Sequence, residues 1–120
     1  MNHKDLDAWK EAIELISLIY TITKKFPKEE IYGLVSQMRK AAVSIASNIA
    51  EGAARKSKNE YLQFLNITQS SLSELETQII IAKKINYLED IDNIMIQIEK
   101  ERKLIFGLIR FLNKNQSDHR

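Results

Sequence analysis

The chain has 120 residues, 18 Lys and Arg against 16 Asp and Glu for a net charge of +2, three Gly, one Pro and no Cys. That is the length of one domain, able to bury roughly two thirds of its unfolded surface, and too poor in Gly and Pro for a turn-rich β fold or a disordered chain. The lack of Cys excludes disulfides and thiolate metal sites, the longest apolar run (79–82) falls far short of the ~18 residues of a membrane span, and residues 1–5 lack a signal peptide's apolar stretch, so a cytoplasmic protein is expected.

Apolar residues recur every three or four positions in four successive segments. In the first, Leu6, Trp9, Ile13, Ile16, Tyr20 and Thr23 form one row, and Ala8, Ala12, Leu15, Ile19 and Ile22 form a second beside it. Two rows mean a wide buried arc rather than a narrow two-stranded seam. The spacing predicts a helix over 6–25, with Asp5 as N-cap and Pro27 limiting the far end. The second segment, predicted over 28–51, carries Ile31, Leu34, Met38, Ala41 and Ile45 and is rich in Ala and Ser. Small side chains let a neighbouring backbone approach, so this helix is expected to be central, and Gly52 is expected to terminate it.

The third segment, predicted over 58–85, opens with Ser57 and Glu60 at the spacing of a capping box. Tyr61, Leu65, Thr68, Leu72, Leu75, Ile79 and Ala82 follow in one row, and Asn86 is expected to close the helix in a left-handed cap. The fourth, predicted over 90–113, steps through Ile91, Met95, Ile98, Arg102, Ile105, Ile109 and Leu112, with Asp90 as its cap and a polar, frayed tail over 113–120. Four such helices on short connections predict an all-α, antiparallel up-and-down four-helix bundle forming one domain over 1–120. The surplus of apolar positions predicts self-association or a protein partner.

No arrangement of residues announces catalysis. The only histidines, His3 and His119, lack the Glu three residues earlier that a di-iron bundle site uses. There is no Cys nucleophile and no internal His to act as base for a Ser. Gly33, Gly52 and Gly107 are too far apart for a phosphate loop, and Glu74 and Glu76 point to different helix faces. The expectation is a protein that is not an enzyme, with no metal and no cofactor.

Two features remain. Asn48, Glu51 and Gly52 are set among apolar Ile45, Ile49 and Ala50; they read first as a structural motif fixing helix register and second as a binding site. Basic residues concentrate in two stretches of this nearly neutral chain: Arg39, Lys40, Arg55, Lys56 and Lys58, then Arg102, Lys103 and Arg110 with Lys100 and Lys114. They read either as solvated helix faces or as a phosphate-contacting surface, which a symmetric assembly would multiply. Trp9, Tyr20 and Phe64 fall at core spacing and are not read as base-stacking platforms.

Together these pieces resemble a known family: the four-helix bundle proteins that include those encoded in intervening sequences of bacterial 23S rRNA genes. The resemblance is carried by Asp5-Leu6 with Trp9 and Ala12, Phe26-Pro27, Tyr32-Gly33-Leu34, Gln37 to Ala42 with Ser44, and Asn48-Ile49-Ala50-Glu51-Gly52. Ser70-Ser71-Leu72, Glu74-Leu75-Glu76 and Tyr87-Leu88 complete it, so it spans about 5–112. Ala46 and Asn86 depart from it, standing where many members carry Pro and Gly. The resemblance implies a ring-like homopentamer. It extends to accessory proteins of diversity-generating retroelements, which implies binding of nucleic acid and a reverse transcriptase, and it supplies no catalytic residues. The reading is a non-enzymatic homo-oligomer that binds structured RNA or other nucleic acid through eight of these basic residues, Arg39, Lys40, Arg55, Lys56, Lys58, Arg102, Lys103 and Arg110. Its rival is a scaffold that docks a protein partner.

Overall fold

The computed structural model describes residues 2–117. Four helices, α1 (Asp7–Thr23), α2 (Leu34–Ala53), α3 (Lys58–Lys84) and α4 (Asp92–Ser117), make up the fold, with short 3-10 turns at His3–Asp5 and Lys28–Glu30. No strand occurs among the described residues. α2 and α3 share the most extensive interface, α1 packs on α2 and α4, and α3 packs on α4. The result is a bundle measuring 55 × 24 × 20 Å.

Several helix ends differ from the sequence expectations. Asp5 is not the cap of α1. It sits in the first 3-10 turn, which Asn2 caps by accepting a hydrogen bond from Lys4 N–H at 3.0 Å, and Leu6 precedes α1. α2 begins at Leu34 rather than near residue 28 because the Glu30 side chain folds back and its Oε1 accepts from Leu34 N–H at 3.2 Å. This places a carboxylate at the positive end of α2. Gly33 makes room for it, since a Cβ there would lie 2.8 Å from Glu30 Oε1. Gly52 does not terminate α2; it lies inside the helix, one residue before its end.

Other ends follow the expectation. Ser57 Oγ accepts from Glu60 N–H at 3.3 Å to open α3. Asp90 Oδ1 accepts from Asp92 N–H at 2.9 Å and so meets the first donor of α4, although Ile91, not Asp90, is the residue that precedes the helix. Asn86 takes the left-handed conformation with φ 68°. Tyr87 N–H then bonds Ala82 O at 2.8 Å and Asn86 N–H bonds Lys83 O at 3.0 Å, a Schellman closure. Ala lacks the short polar side chain that eases this conformation. Asn86→Ala is therefore expected to lower stability by about 1 kcal/mol in chemical denaturation, with Asn86→Gly at or above the parent. α4 continues through Ser117, past the expected start of fraying, and 118–120 lie outside the described residues.

The core is built from Ala12, Leu15 and Ile19 of α1, Met38, Ala42, Ile45 and Ile49 of α2, Leu65, Leu72, Leu75 and Ile79 of α3, and Ile98 and Ile105 of α4. The buried row is Ile91, just before α4, then Ile94, Ile98, Glu101, Ile105 and Leu112 within it. Glu101, not Arg102, therefore occupies the core position, and Arg102 is displaced to the edge of the α3–α4 interface. At one end of the bundle the connection between α1 and α2 meets that between α3 and α4. There Phe26 and Tyr87 rings lie 5.2 Å apart, and Tyr87 O–H donates to Glu30 Oε2 at 2.8 Å. That bond holds the Tyr87 hydroxyl above its ordinary pKa, because ionising it would set a second negative charge against the Glu30 carboxylate.

Candidate nucleic-acid interface

The eight basic residues fall into three groups. Arg39 and Lys40 lie in the first half of α2, beside the last turns of α1. Arg39 is fixed on several sides: Nε donates to Thr23 Oγ1 at 3.0 Å, Nη2 reaches Tyr20 O at 3.5 Å, and the guanidinium carbon stands 4.5 Å above the Tyr20 ring. Thr23, buried, is itself anchored by donating to Ile19 O at 2.7 Å. Lys40 is exposed. Both line a cleft of about 480 Å³ with Tyr20, Tyr32, Ser36 and Val43.

The second group surrounds the connection between α2 and α3, about 24 Å from Arg39 along the rise of a helix. Its scaffold is the Asn48–Gly52 motif. Asn48 Nδ2 donates to Ser44 O and Ser44 Oγ at 2.8 and 2.9 Å, and Ser44 Oγ meets Ser71 Oγ of α3 at 2.9 Å. A Cβ on Gly52 would come within 2.9 Å of Tyr61 Cδ1 and 3.0 Å of Phe64 Cβ, so its bare backbone lets α3 approach α2. Glu51 faces solvent and pairs with Arg55 at 3.1 Å, and the Arg55 guanidinium carbon stands 4.9 Å from the Phe64 ring centre. Lys56 is exposed. Lys58 is less available, because its Nζ is out of solvent and has no hydrogen-bond partner.

The third group is spread along α4. Arg102 is engaged: Nη2 pairs with Glu76 Oε1 of α3 at 2.8 Å, and Nη1 bonds Glu99. Lys103 and Arg110 are exposed and flank Phe106, itself 56% exposed, with the Arg110 guanidinium carbon 5.8 Å from its ring centre. Ile96, 68% exposed, lies one heptad before Lys103 on the same helix face. Among the described residues, Lys40, Lys56, Lys103 and Arg110 have no carboxylate partner.

Counting charges found the cations but missed their surroundings. Arg39, Arg55 and Arg110 each lie over an aromatic ring. Tyr20, placed in the core by its spacing, is exposed at the α1–α2 edge. Tyr32, next to an unremarkable glycine in the sequence, is 94% exposed. Glu101 also went unread. It is fully buried, both its carboxylate oxygens lack hydrogen-bond partners, and burial, reinforced by the nearby Glu11 charge and opposed by Lys100, raises its pKa to about 8. Among the described residues no group of three or more His, Asp or Glu could hold a metal ion, and no helix is long and apolar enough to cross a membrane.

No curated protein matches the sequence. Residues 4–107 nevertheless match the model of the 23S rRNA-intervening sequence proteins, and the chain belongs to that family.

Proposed function

We propose that this chain is a non-enzymatic, cytoplasmic protein whose antiparallel up-and-down bundles assemble into a homo-oligomeric ring, and that the ring binds structured RNA or other nucleic acid. The observation that carries the reading is the set of exposed cations, Lys40, Lys56, Lys103 and Arg110, left without carboxylate partners on three separate surfaces. Cations so placed contact phosphates and carry little sequence information. A ring repeats each surface around its axis, and a modest patch becomes a strong field. Membership of a family named for an rRNA intervening sequence supports the RNA direction. Exposed Ile67, Ile80, Ile81, Ile85 and Ile96 supply apolar surface for assembly.

The test is fluorescence anisotropy of labelled structured RNA and duplex DNA between about 50 and 200 mM salt, where phosphate-driven binding falls steeply. Converting Lys40, Lys56 and Lys103 to Gln is expected to weaken binding to every sequence and to reduce the log–log salt slope by at least about one. Unchanged affinity and slope would remove these surfaces from the interface. The rival, a protein-docking scaffold, is favoured by Ile96 and Phe106 on the exposed face of α4. It predicts no binding even at low salt, and loss of a co-purifying partner on Phe106→Ser.

A further inference from the structure

We propose that the cleft between the end of α1 and the start of α2 receives one unpaired nucleobase, stacked against Tyr32 and the Arg39–Tyr20 pair, with its phosphate on Lys40. This rests on the nucleic-acid reading and narrows it from phosphate contact to recognition of looped or single-stranded segments.

Three observations converge. First, Arg39 is held as a flat, prepaid platform. Its Nε bond to buried Thr23 and its position 4.5 Å over Tyr20 fix the guanidinium plane before any ligand arrives. Guanidinium planes and aromatic rings are the surfaces on which proteins stack bases that have left a duplex. Second, Tyr32 is 94% exposed at the rim of the same cleft, although it stands in a turn whose backbone is pinned by Glu30 and Gly33. A large ring held in solvent by a fixed backbone loses little conformational freedom on binding. Third, the local charge suits a phosphodiester. Residues 24–40 hold Lys24, Lys25, Lys28, Arg39 and Lys40 against Glu29 and Glu30, and Glu30 is already committed to Leu34 N–H and Tyr87 O–H. A cleft of about 480 Å³ is within the range of small-ligand sites, whereas a duplex keeps its bases stacked inside and can offer this cleft only backbone.

The experiment compares an unstructured single strand, the same sequence as a duplex and an abasic strand of equal length, by anisotropy at fixed salt. The parent, Tyr32→Ala and Tyr32→Phe are each measured, with sedimentation velocity on all three proteins. Tyr32→Ala is expected to weaken single-strand binding about 5- to 150-fold, the range for loss of one stacked base. Duplex and abasic binding and the salt slope should be unchanged, and Tyr32→Phe should retain the parent's affinity. Equal losses on all three nucleic acids, or no loss on any, would overturn the stacking site while leaving phosphate binding intact. Absence of binding by the parent to every probe would overturn the nucleic-acid reading and this proposal with it. A change of oligomeric state in Tyr32→Ala would assign the cleft to a second copy of the chain instead, and overturn it too.

Discussion

Raising the pH from 5.5 to 8.5 is expected to destabilise the fold steeply, and Glu101→Gln is expected to abolish most of that dependence. Glu101 is fully buried without a hydrogen-bond partner on either oxygen, and its pKa is raised from 4.5 to about 8. Between those values the folded chain holds a proton that the unfolded chain has released. The folded state therefore binds more protons, and stability falls as pH rises through the window. At about 1.36 kcal/mol per unit, the whole window is worth on the order of 5 kcal/mol per chain. Above it both states are ionised, and the folded state carries an uncompensated buried charge. Thermal melts of parent and variant across pH 5.5–8.5 test this directly. At pH 8.5 the variant should melt higher than the parent, and at pH 5.5 the two should lie close together. Parallel pH profiles for the two proteins would refute the buried-proton account. Glu101→Leu, with Ile98 and Ile105 beside it in the buried row, should be as insensitive to pH as the Gln variant.

The second large effect is expected at Gly52. A methyl group there meets Tyr61 Cδ1 at 2.9 Å and Phe64 Cβ at 3.0 Å, and neither neighbour is the free end of a flexible chain. Tyr61 is buried, and Phe64 Cβ is tied to the α3 backbone. Overpacking of this kind costs typically 1–3 kcal/mol. Ala gains roughly 1 kcal/mol over Gly inside a helix, so the net cost of Gly52→Ala should be up to about 2 kcal/mol and that of Gly52→Leu considerably more. Chemical denaturation measures both. A stabilised Gly52→Ala would mean that α3 can retreat from α2 at little cost, and that the glycine is not what sets their separation.

Helix periodicity made most of this architecture legible. The rows through Leu65, Leu72 and Ile79 and through Leu15 and Ile19 are buried as their spacing indicates, and Ser57 and Asn86 mark the ends of α3 because their side chains act within a few residues of themselves. What was not legible depended on distant partners. Arg102 and Glu101 lie about 100° apart on α4, yet the rows drawn through them share Ile91, Ile98, Ile105 and Leu112, so spacing alone fits either. Only packing against α1 and α3 chooses between them. The start of α2 is set by Glu30 folding back onto Leu34 N–H, and that side chain is also held by Tyr87, a contact that no local pattern contains. Tyr20 falls in a row whose other members are mostly buried or half-buried, but with Ile13 it faces water. The cations were legible as charges. Their selection into paired, stacked and free was not, because Glu76 meets Arg102 from another helix and Phe64 meets Arg55 across a connection.

The bond between Tyr87 and Glu30 joins residues 57 positions apart, and it has a consequence for the order in which the chain matures. α2 and α3 are neighbours in sequence and share the largest interface, so their hairpin closes over a short loop and at small entropic cost. The carboxylate that caps α2 is secured only after Tyr87 has turned the corner out of α3. During synthesis the first turn of α2, with Tyr32 beside it, lacks this second anchor until Tyr87 has left the ribosome. The Glu30 carboxylate that caps α2 is thus latched from the second half of the molecule, whereas Arg39 is held from α1 alone.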